Sequence, residues 1–377
     1  MRSTRRSTAS SLGFFFFFMA SNPPRIGRLL QGPRNAITDV EGVTVGHRTL
    51  DDGPVQTGVT VIQPHAGDPF RDKVPAAAVV LNGFGKSVGL VQMAELGVLE
   101  TPIALTNTFS VGTVATAQIR HCVAANPESG RSLPTVNPLV FECNDGFLND
   151  IQRLAVSEAD YLLALESAAS DFAQGSVGAG RGMSCFQLKG GIGSASRRVS
   201  SQDGGVHTVG TLVLANYGRP SQLVLASQAV GEQLAARLAA KGSRTAREPE
   251  KGSIIIAVAT DAPLDARQLR RLALRAGAGL ARTGSVFGHG SGDIVLAFST
   301  AYTVPDSAER PMPAVAMVHE SLLDGLFEAA ADSTEQAIVH ALWHATAVTG
   351  RDGNHRATLA ELLPSSVHSS LAPTPAP

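Results

Sequence analysis

Gly252-Ser253-Ile254-Ile255-Ile256-Ala257-Val258-Ala259-Thr260 is the stretch on which the fold turns. It is uncharged, short and rich in β-branched residues, the composition of a strand buried on both faces. The residues before it, Lys241-Gly-Ser-Arg-Thr-Ala-Arg-Glu-Pro-Glu-Lys251, are polar, charged and hold a proline, which predicts an exposed loop. A strand of this kind needs cover on both faces. That requirement points to a layered α/β arrangement.

Downstream, Asp265 to Gly284 predicts a helix with an Asp start and a Gly stop, and Gly292 to Ser299 a further strand. Asp332 to Thr349 predicts a last helix, with Asp332 and Glu335 as its capping pair and Gly350 as its end. Upstream, His207–Asn216 reads as a strand and Ser221–Ala240 as a helix. Residues 36–48 alternate as a strand with a Gly turn, and Thr57–Gln63 is a second strand. Pro75–Asn82 is a buried strand ending in the loop Asn82-Gly83-Phe84-Gly85, and Leu139–Glu142 is a short strand. Lys86–Leu99 and Asp145–Ala169 have helical spacing. The glycines of Gly178-Ala-Gly180-Arg-Gly182 and Gly190-Gly191-Ile-Gly193 fit hairpin turns and bulges. A dinucleotide loop would need a helix after the first cluster, where a strand-like Met183–Lys189 follows instead.

Composition narrows the function. The chain has 377 residues, 44% hydrophobic and 17% charged, with a formal net charge of −1. That is too apolar for a disordered chain, and the balanced charge gives no argument for nucleic acid or an acidic membrane as partner. Apolar runs fall far short of the ~20 residues needed to span a bilayer. Cys122, Cys143 and Cys185 are odd in number, widely spaced and without a CxxC, which argues against a disulfide framework and a structural zinc site. Each reads as a small buried hydrophobe, with a thiol nucleophile as the alternative. His340-Ala-Leu-Trp-His344 has metal-ligand spacing but lacks the Glu of H-E-x-x-H, so these are read as incidental histidines on a helix face. Arg267, Arg270, Arg271 and Arg275 read as a solvated helix face, since no aromatic residues are interleaved.

The ends stand apart. The first 38 residues hold six Arg and no Asp or Glu, around Leu12-Gly-Phe-Phe-Phe-Phe-Phe-Met-Ala20. Residues 1–23 read either as a targeting leader or as an upstream extension with Met19 as the start. The first reading sends the protein to a secreted or organellar destination, the second leaves it cytoplasmic. Residues 364–377 are rich in Ser, Pro and Ala and are expected to be a disordered tail.

A charged loop that turns at Gly-Ser into a buried strand admits two readings. One is an ordinary loop boundary. The other is an internal cleavage point, at which the Ser253 hydroxyl attacks the Gly252 carbonyl and an N-to-O shift forms an ester that water opens. Glycine before the bond lets a hydroxyl approach closely. Cleavage would free the Ser253 α-amine, whose reference pKa of about 8 suits it to act as a base.

The pattern resembles the self-cleaving L-aminopeptidase / D-amidase–esterase (DmpA-like) family, which includes the β-peptidyl aminopeptidases. Gly252–Leu264 is similar to its processing site, and Asn35–His47 to its usual opening. Glu100–Thr108, Asp145-Gly-Phe-Leu-Asn-Asp150, Gly190–Gly193, Gly290-Ser-Gly-Asp-Ile294 and Thr349–Asn354 resemble further motifs in the same order. The resemblance spans residues 24–360 and implies a four-layer αββα sandwich of the DmpA/ornithine-acetyltransferase type. It implies one peptidase domain, 24–363, cut into chains 24–252 and 253–363 that remain associated in a homo-oligomer. By the same resemblance Ser253 matches the nucleophile, Ser291 and Asp293 a serine and an acid that assist it, and Asn216 an oxyanion donor. Asn144 stands where several members carry a tyrosine, and is a candidate oxyanion or pocket residue. No metal or organic cofactor is implied.

The expected activity is removal of an N-terminal residue from small peptides, amides or esters with a free amine, through an acyl-enzyme on Ser253. Two other readings remain open at this stage. An acyltransferase would pass the acyl group to an amine, although the fold's acetyltransferase relatives use threonine at the new terminus. An uncleaved, non-catalytic binding module would keep the loop over the pocket.

Overall fold

A computed structural model describes residues 22–201, 204–241 and 252–363. Nine principal strands form two sheets. The smaller contains β1 (Thr44–Leu50), β2 (Thr57–Gln63), β4 (Ile103–Asn107) and β5 (Val140–Cys143), in that spatial order. The larger runs β3 (Asp72–Gly83), β9 (Gly292–Ser299), β8 (Ser253–Thr260), β7 (Val206–Asn216) and β6 (Gly191–Ser200). Two-residue strands, Val98–Leu99 and Val304–Pro305, extend it along β3.

β8 lies at the centre, antiparallel to β7 and parallel to β9, with all eight residues buried. Its alternation divides two cores. Ile255, Ala257 and Ala259 face the smaller sheet and pack with Val45, Ile62, Leu105 and Phe141. Ile254, Ile256 and Val258 face the other way, onto Leu269, Leu272 and Leu280 of α5 (Ala266–Arg282) and Ile338 and Ala341 of α6 (Asp324–Trp343). Successive strand residues point to opposite faces, so one uncharged run serves both cores. Burial of each Ile or Val stabilises by roughly 1.5–3 kcal/mol. On the far side of the small sheet, Val59, Val61 and Ala104 meet Val114 and Ala117 of α2 (Val111–Ala125) and Tyr161 and Ala164 of α3 (Glu158–Glu166). The layers are helix, sheet, sheet, helix, as expected from the sequence.

One close approach locks α6 onto the large sheet. A Cβ on Gly193 of β6 would lie 1.9 Å from the Ala337 carbonyl oxygen, so only glycine lets that helix seat.

Several expected elements differ. Lys86–Leu99 is helical only over the short α1 (Leu90–Leu96), ended by Gly97 at φ 69°. Residues 36–48 begin with a 3₁₀ turn, Ile37–Asp39, and the strand starts at Thr44. The Asp39 carboxylate folds that turn back by accepting from the N–H groups of Arg34 and Ala36. Asp145–Ala169 is not one helix. Leu154 adopts φ 48°, which breaks the pattern, and Ser157 with Asp160 starts α3 afresh. Ser221–Ala240 opens as a tight hairpin turning at Ala226 and Ser227, both at positive φ, before α4 (Gly231–Ala240). The last helix begins eight residues before Asp332. Asp332 and Glu335 do not cap it; they pair with Arg282 of α5 at 2.7 and 3.6 Å. The helix at Asp265 is as expected, with the Asp265 carboxylate accepting from Gln268 N–H at 2.7 Å.

The arginine face is solvent-facing as expected, with Arg267 and Arg270 exposed, whereas on the histidine face His340 is not. His340 is buried: Nδ1 donates to the Ser194 carbonyl at 2.6 Å and Nε2 accepts from Gln336 at 3.1 Å. Burial lowers its pKa to about 4, so it is a neutral interior residue. Arg267 and Arg271 pair with Glu320, and the Arg275 guanidinium lies 4.1 Å from the centre of the Phe327 ring. The expectations for the leader, loop 242–251 and the tail lie outside the described residues, apart from 22–23.

Candidate active site

Three strands end in a row. Asn216 closes β7, Ser253 opens β8 and Gly292 opens β9, and the register places Ser253 opposite both neighbours. The Gly292 N–H donates to Ser253 Oγ at 3.1 Å. Ser253 is 5% exposed, at the base of a cleft of about 440 Å³. Gly252 approaches it in tight quarters: a Cβ there would lie 2.2 Å from the Asn216 carbonyl oxygen and 2.5 Å from Tyr217 Cα.

Ser291 and Asp293 flank Gly292. The Ser291 hydroxyl donates to Asp293 Oδ1 at 2.5 Å, and both residues are buried. Asn82, at the end of β3, holds the preceding turn by donating Nδ2 to the carbonyls of Gly288 (3.1 Å), His289 (3.2 Å) and Ser291. The serine–acid pair is thus fixed by neighbours on both sides.

Asn216 is oriented at both ends of its amide. Oδ1 accepts from Ser184 N–H at 2.8 Å, and Nδ2 donates to the Asn144 carbonyl at 3.0 Å. An amide nitrogen carries two hydrogens, and this bond uses one. Asn144 lines the cleft, but its Oδ1 turns back to accept from Gly146 N–H at 2.9 Å. It contributes a backbone carbonyl to the Asn216 contact, and its side chain makes a local turn.

Glu142 is a cleft residue that sequence reasoning missed. It sits on β5 of the opposite sheet, 3% exposed, and lines the same cleft as Ser253. Its carboxylate accepts from Lys86 N–H at 2.9 Å and from the Thr108 hydroxyl. Both donors are neutral, and among the described residues no cationic side chain pairs with this carboxylate. The signal is an acid closing the otherwise apolar strand Leu139-Val-Phe-Glu142.

The thiols play no part in this arrangement. All three cysteines are buried and unbridged. Burial raises Cys122 to about 11 and Cys143 well above the ordinary thiol range, which keeps both as poor nucleophiles. Among the described residues no group of three or more His, Cys, Asp or Glu is arranged to hold a metal ion, and no helix is long and apolar enough to cross a membrane.

Comparison with known proteins gives the arrangement its context. Beta-peptidyl aminopeptidase BapA of Sphingosinicella microcystinivorans is 40% identical over 340 residues, covering 85% of this chain and 84% of the relative. A Burkholderia sp. beta-aminopeptidase structure is 42% identical with a TM-score of 0.81, covering 92% of this chain and 96% of that one. The L-aminopeptidase D-Ala-esterase/amidase of Ochrobactrum anthropi, described as a prototype for the serine aminopeptidases and a variant of the Ntn hydrolase fold, is 33% identical with a TM-score of 0.82, covering 93% and 98%. These similarities favour peptide hydrolysis over acyl transfer and over a non-catalytic module. With the Peptidase family S58 model matching residues 35–356, the chain belongs to peptidase family S58 and is a serine aminopeptidase.

Proposed function

We propose that Ser253 is the nucleophile and that the bond between Gly252 and Ser253 is cut by the protein itself, giving associated chains 24–252 and 253–363. The observation that carries this is the row Asn216–Ser253–Gly292 beneath a cleft that also holds a buried acid. In self-cleavage Oγ attacks the Gly252 carbonyl carbon, the C–N bond breaks, and the Ser253 nitrogen takes the hydroxyl proton. Water then opens the ester and returns a proton to Oγ, leaving a free α-amine. The Gly292 N–H stabilises negative charge as it grows on Oγ.

In turnover the α-amine takes the Oγ proton while Oγ attacks the substrate carbonyl. The resulting ammonium gives that proton to the departing amine, and water hydrolyses the acyl-enzyme. The Asp293–Ser291 pair orients the α-amine and stabilises its charge. The second Nδ2 hydrogen of Asn216 serves the oxyanion, a type of contact worth about 10²–10³ in rate. Glu142 binds the substrate ammonium, as a desolvated carboxylate with neutral partners is suited to do.

The substrates under this proposal are small peptides, amides or esters with a free amine, and the names of the relatives extend them to N-terminal β-amino residues. The assembly is a homo-oligomer of cleaved pairs. Val91 and Leu96, 88% and 60% exposed on α1, favour burial against another copy.

The test is the denatured intact mass of the purified protein beside Ser253→Ala, followed by hydrolysis of alanyl and β-alanyl p-nitroanilides. Two fragments divided at Gly252/Ser253, with the control uncut and inactive, are expected. An uncut, active native chain would overturn the proposal.

A further inference from the structure

The charges of the cleft are sorted by depth. At its base the Glu142 carboxylate is buried. At its rim stand Lys86 and Arg219, both exposed. Neither forms an ion pair with a described residue. The Lys86 ammonium lies 4.3 Å from the centre of the Phe84 ring, and that ring lies 6.3 Å from His289 on the opposite lip. A cation–π contact of this kind holds a lysine in place without neutralising it. Arg219 is delivered by a sharp turn after β7. Gly218 has φ +92°, and a Cβ there would strike the Phe186 ring at 2.5 Å, so the chain swings past that ring and sets Arg219 on the rim.

An aminopeptidase that needed only a free amine would use the acid and have no use for the cations. A neutral amide, an ester or the interior of a long peptide leaves both idle. A dipeptide brings a carboxylate at the far end. With at most about 3.6 Å per residue, its two charged ends are separated by roughly 7 Å. An arginine fork matches a carboxylate in shape and charge.

We propose that the cleft is a two-ended site for short zwitterionic peptides, in which Glu142 holds the ammonium while Arg219 and Lys86 bind the carboxylate of a one-residue leaving group. This rests on the reading of Ser253 as nucleophile and Glu142 as amine anchor. The site then prefers free dipeptides over their C-terminal amides.

The experiment compares β-alanyl-glycine with β-alanyl-glycinamide on the processed native enzyme, on Arg219→Gln and on Arg219→Gln/Lys86→Gln. Both side chains are exposed, so the fold is not at risk. The acid is expected to exceed the amide in kcat/KM by tenfold or more, mostly through KM. The ratio should approach one in the double variant, and should fall in native enzyme as salt screens the pairs. Equal turnover of acid and amide by native enzyme, or a ratio that survives the double substitution, would overturn the subsite. Ser253→Ala on the same pair separates the two ideas: turnover by that variant would defeat the nucleophile reading, whereas the acid-to-amide ratio alone decides the subsite.

Discussion

Replacing Gly252 by alanine adds a single methyl group next to the bond proposed to be cut. That methyl would lie 2.2 Å from the Asn216 carbonyl oxygen and 2.5 Å from Tyr217 Cα, both backbone atoms that no rotamer change can move. Ordinary contact begins near 3.4 Å, so the chain must retreat by about 1 Å. Gly252 is not in the left-handed region that favours glycine, so the perturbation is chiefly one of position. A misplacement of about 1 Å typically costs about 10²-fold in rate. Self-cleavage of Gly252→Ala should therefore slow by about two orders of magnitude. The assay is cell-free synthesis with timed denaturing mass spectrometry, which follows the intact chain as it disappears. The melting temperature should stay within a few degrees of that of uncut Ser253→Ala, which separates slow chemistry from misfolding. Native-rate division of Gly252→Ala would refute the idea that this contact positions the scissile carbonyl.

Other outcomes follow from the same geometry. Glu142→Gln should raise KM for unblocked dipeptides about 10–100-fold, the loss of a charge-assisted pair of about 1.5–3 kcal/mol, while leaving the Gly252–Ser253 division intact; steady-state kinetics decide it. Burial, the largest influence, raises Asp145 to about 7 from an ordinary 3.8, against the lowering effect of Thr57 and Asn149. Its neutral form is favoured in the fold, so its stabilising effect is complete below about pH 4 and is lost as pH rises to about 7. Asp145→Asn should abolish that slope and so gain on the native chain by about 4 kcal/mol across the window; equal differences in denaturant unfolding at pH 4.5 and 7.5 would contradict this. Gly193→Ala, with its methyl 1.9 Å from the Ala337 carbonyl oxygen, should destabilise by several kcal/mol or prevent accumulation of soluble protein, read by thermal melting.

The legible parts of this protein are those whose local chemistry and tertiary setting agree. β8 could be read because it is buried on both faces and its run of Ile and Val says so. α5 could be read because Asp265 and Gln268 form a real cap. α6 was misplaced because burial on nearly all sides erases its periodicity, while Asp332 and Glu335 imitate a cap and in fact answer Arg282. The hairpins at Phe186–Gln187 and Ala226–Ser227 use positive φ without glycine, so the usual signal for that conformation is missing. Glu142 escaped notice for a different reason. Its place opposite Ser253 comes from the stacking of two sheets, a relation between residues far apart in the chain that no local pattern encodes.

The position of β8 bears on the history of each molecule. Under the proposed cut, the strand that acquires a new terminus is held between β7 and β9 and threaded through both cores. The pieces therefore have no easy route apart, and the enzyme survives its own division. Denaturation changes this. An uncut chain can return to its fold alone, but a divided one must find a separate partner, so its recovery depends on concentration and competes with aggregation. The protein would then have one opportunity to fold as a single chain, and that opportunity closes when the active serine is released.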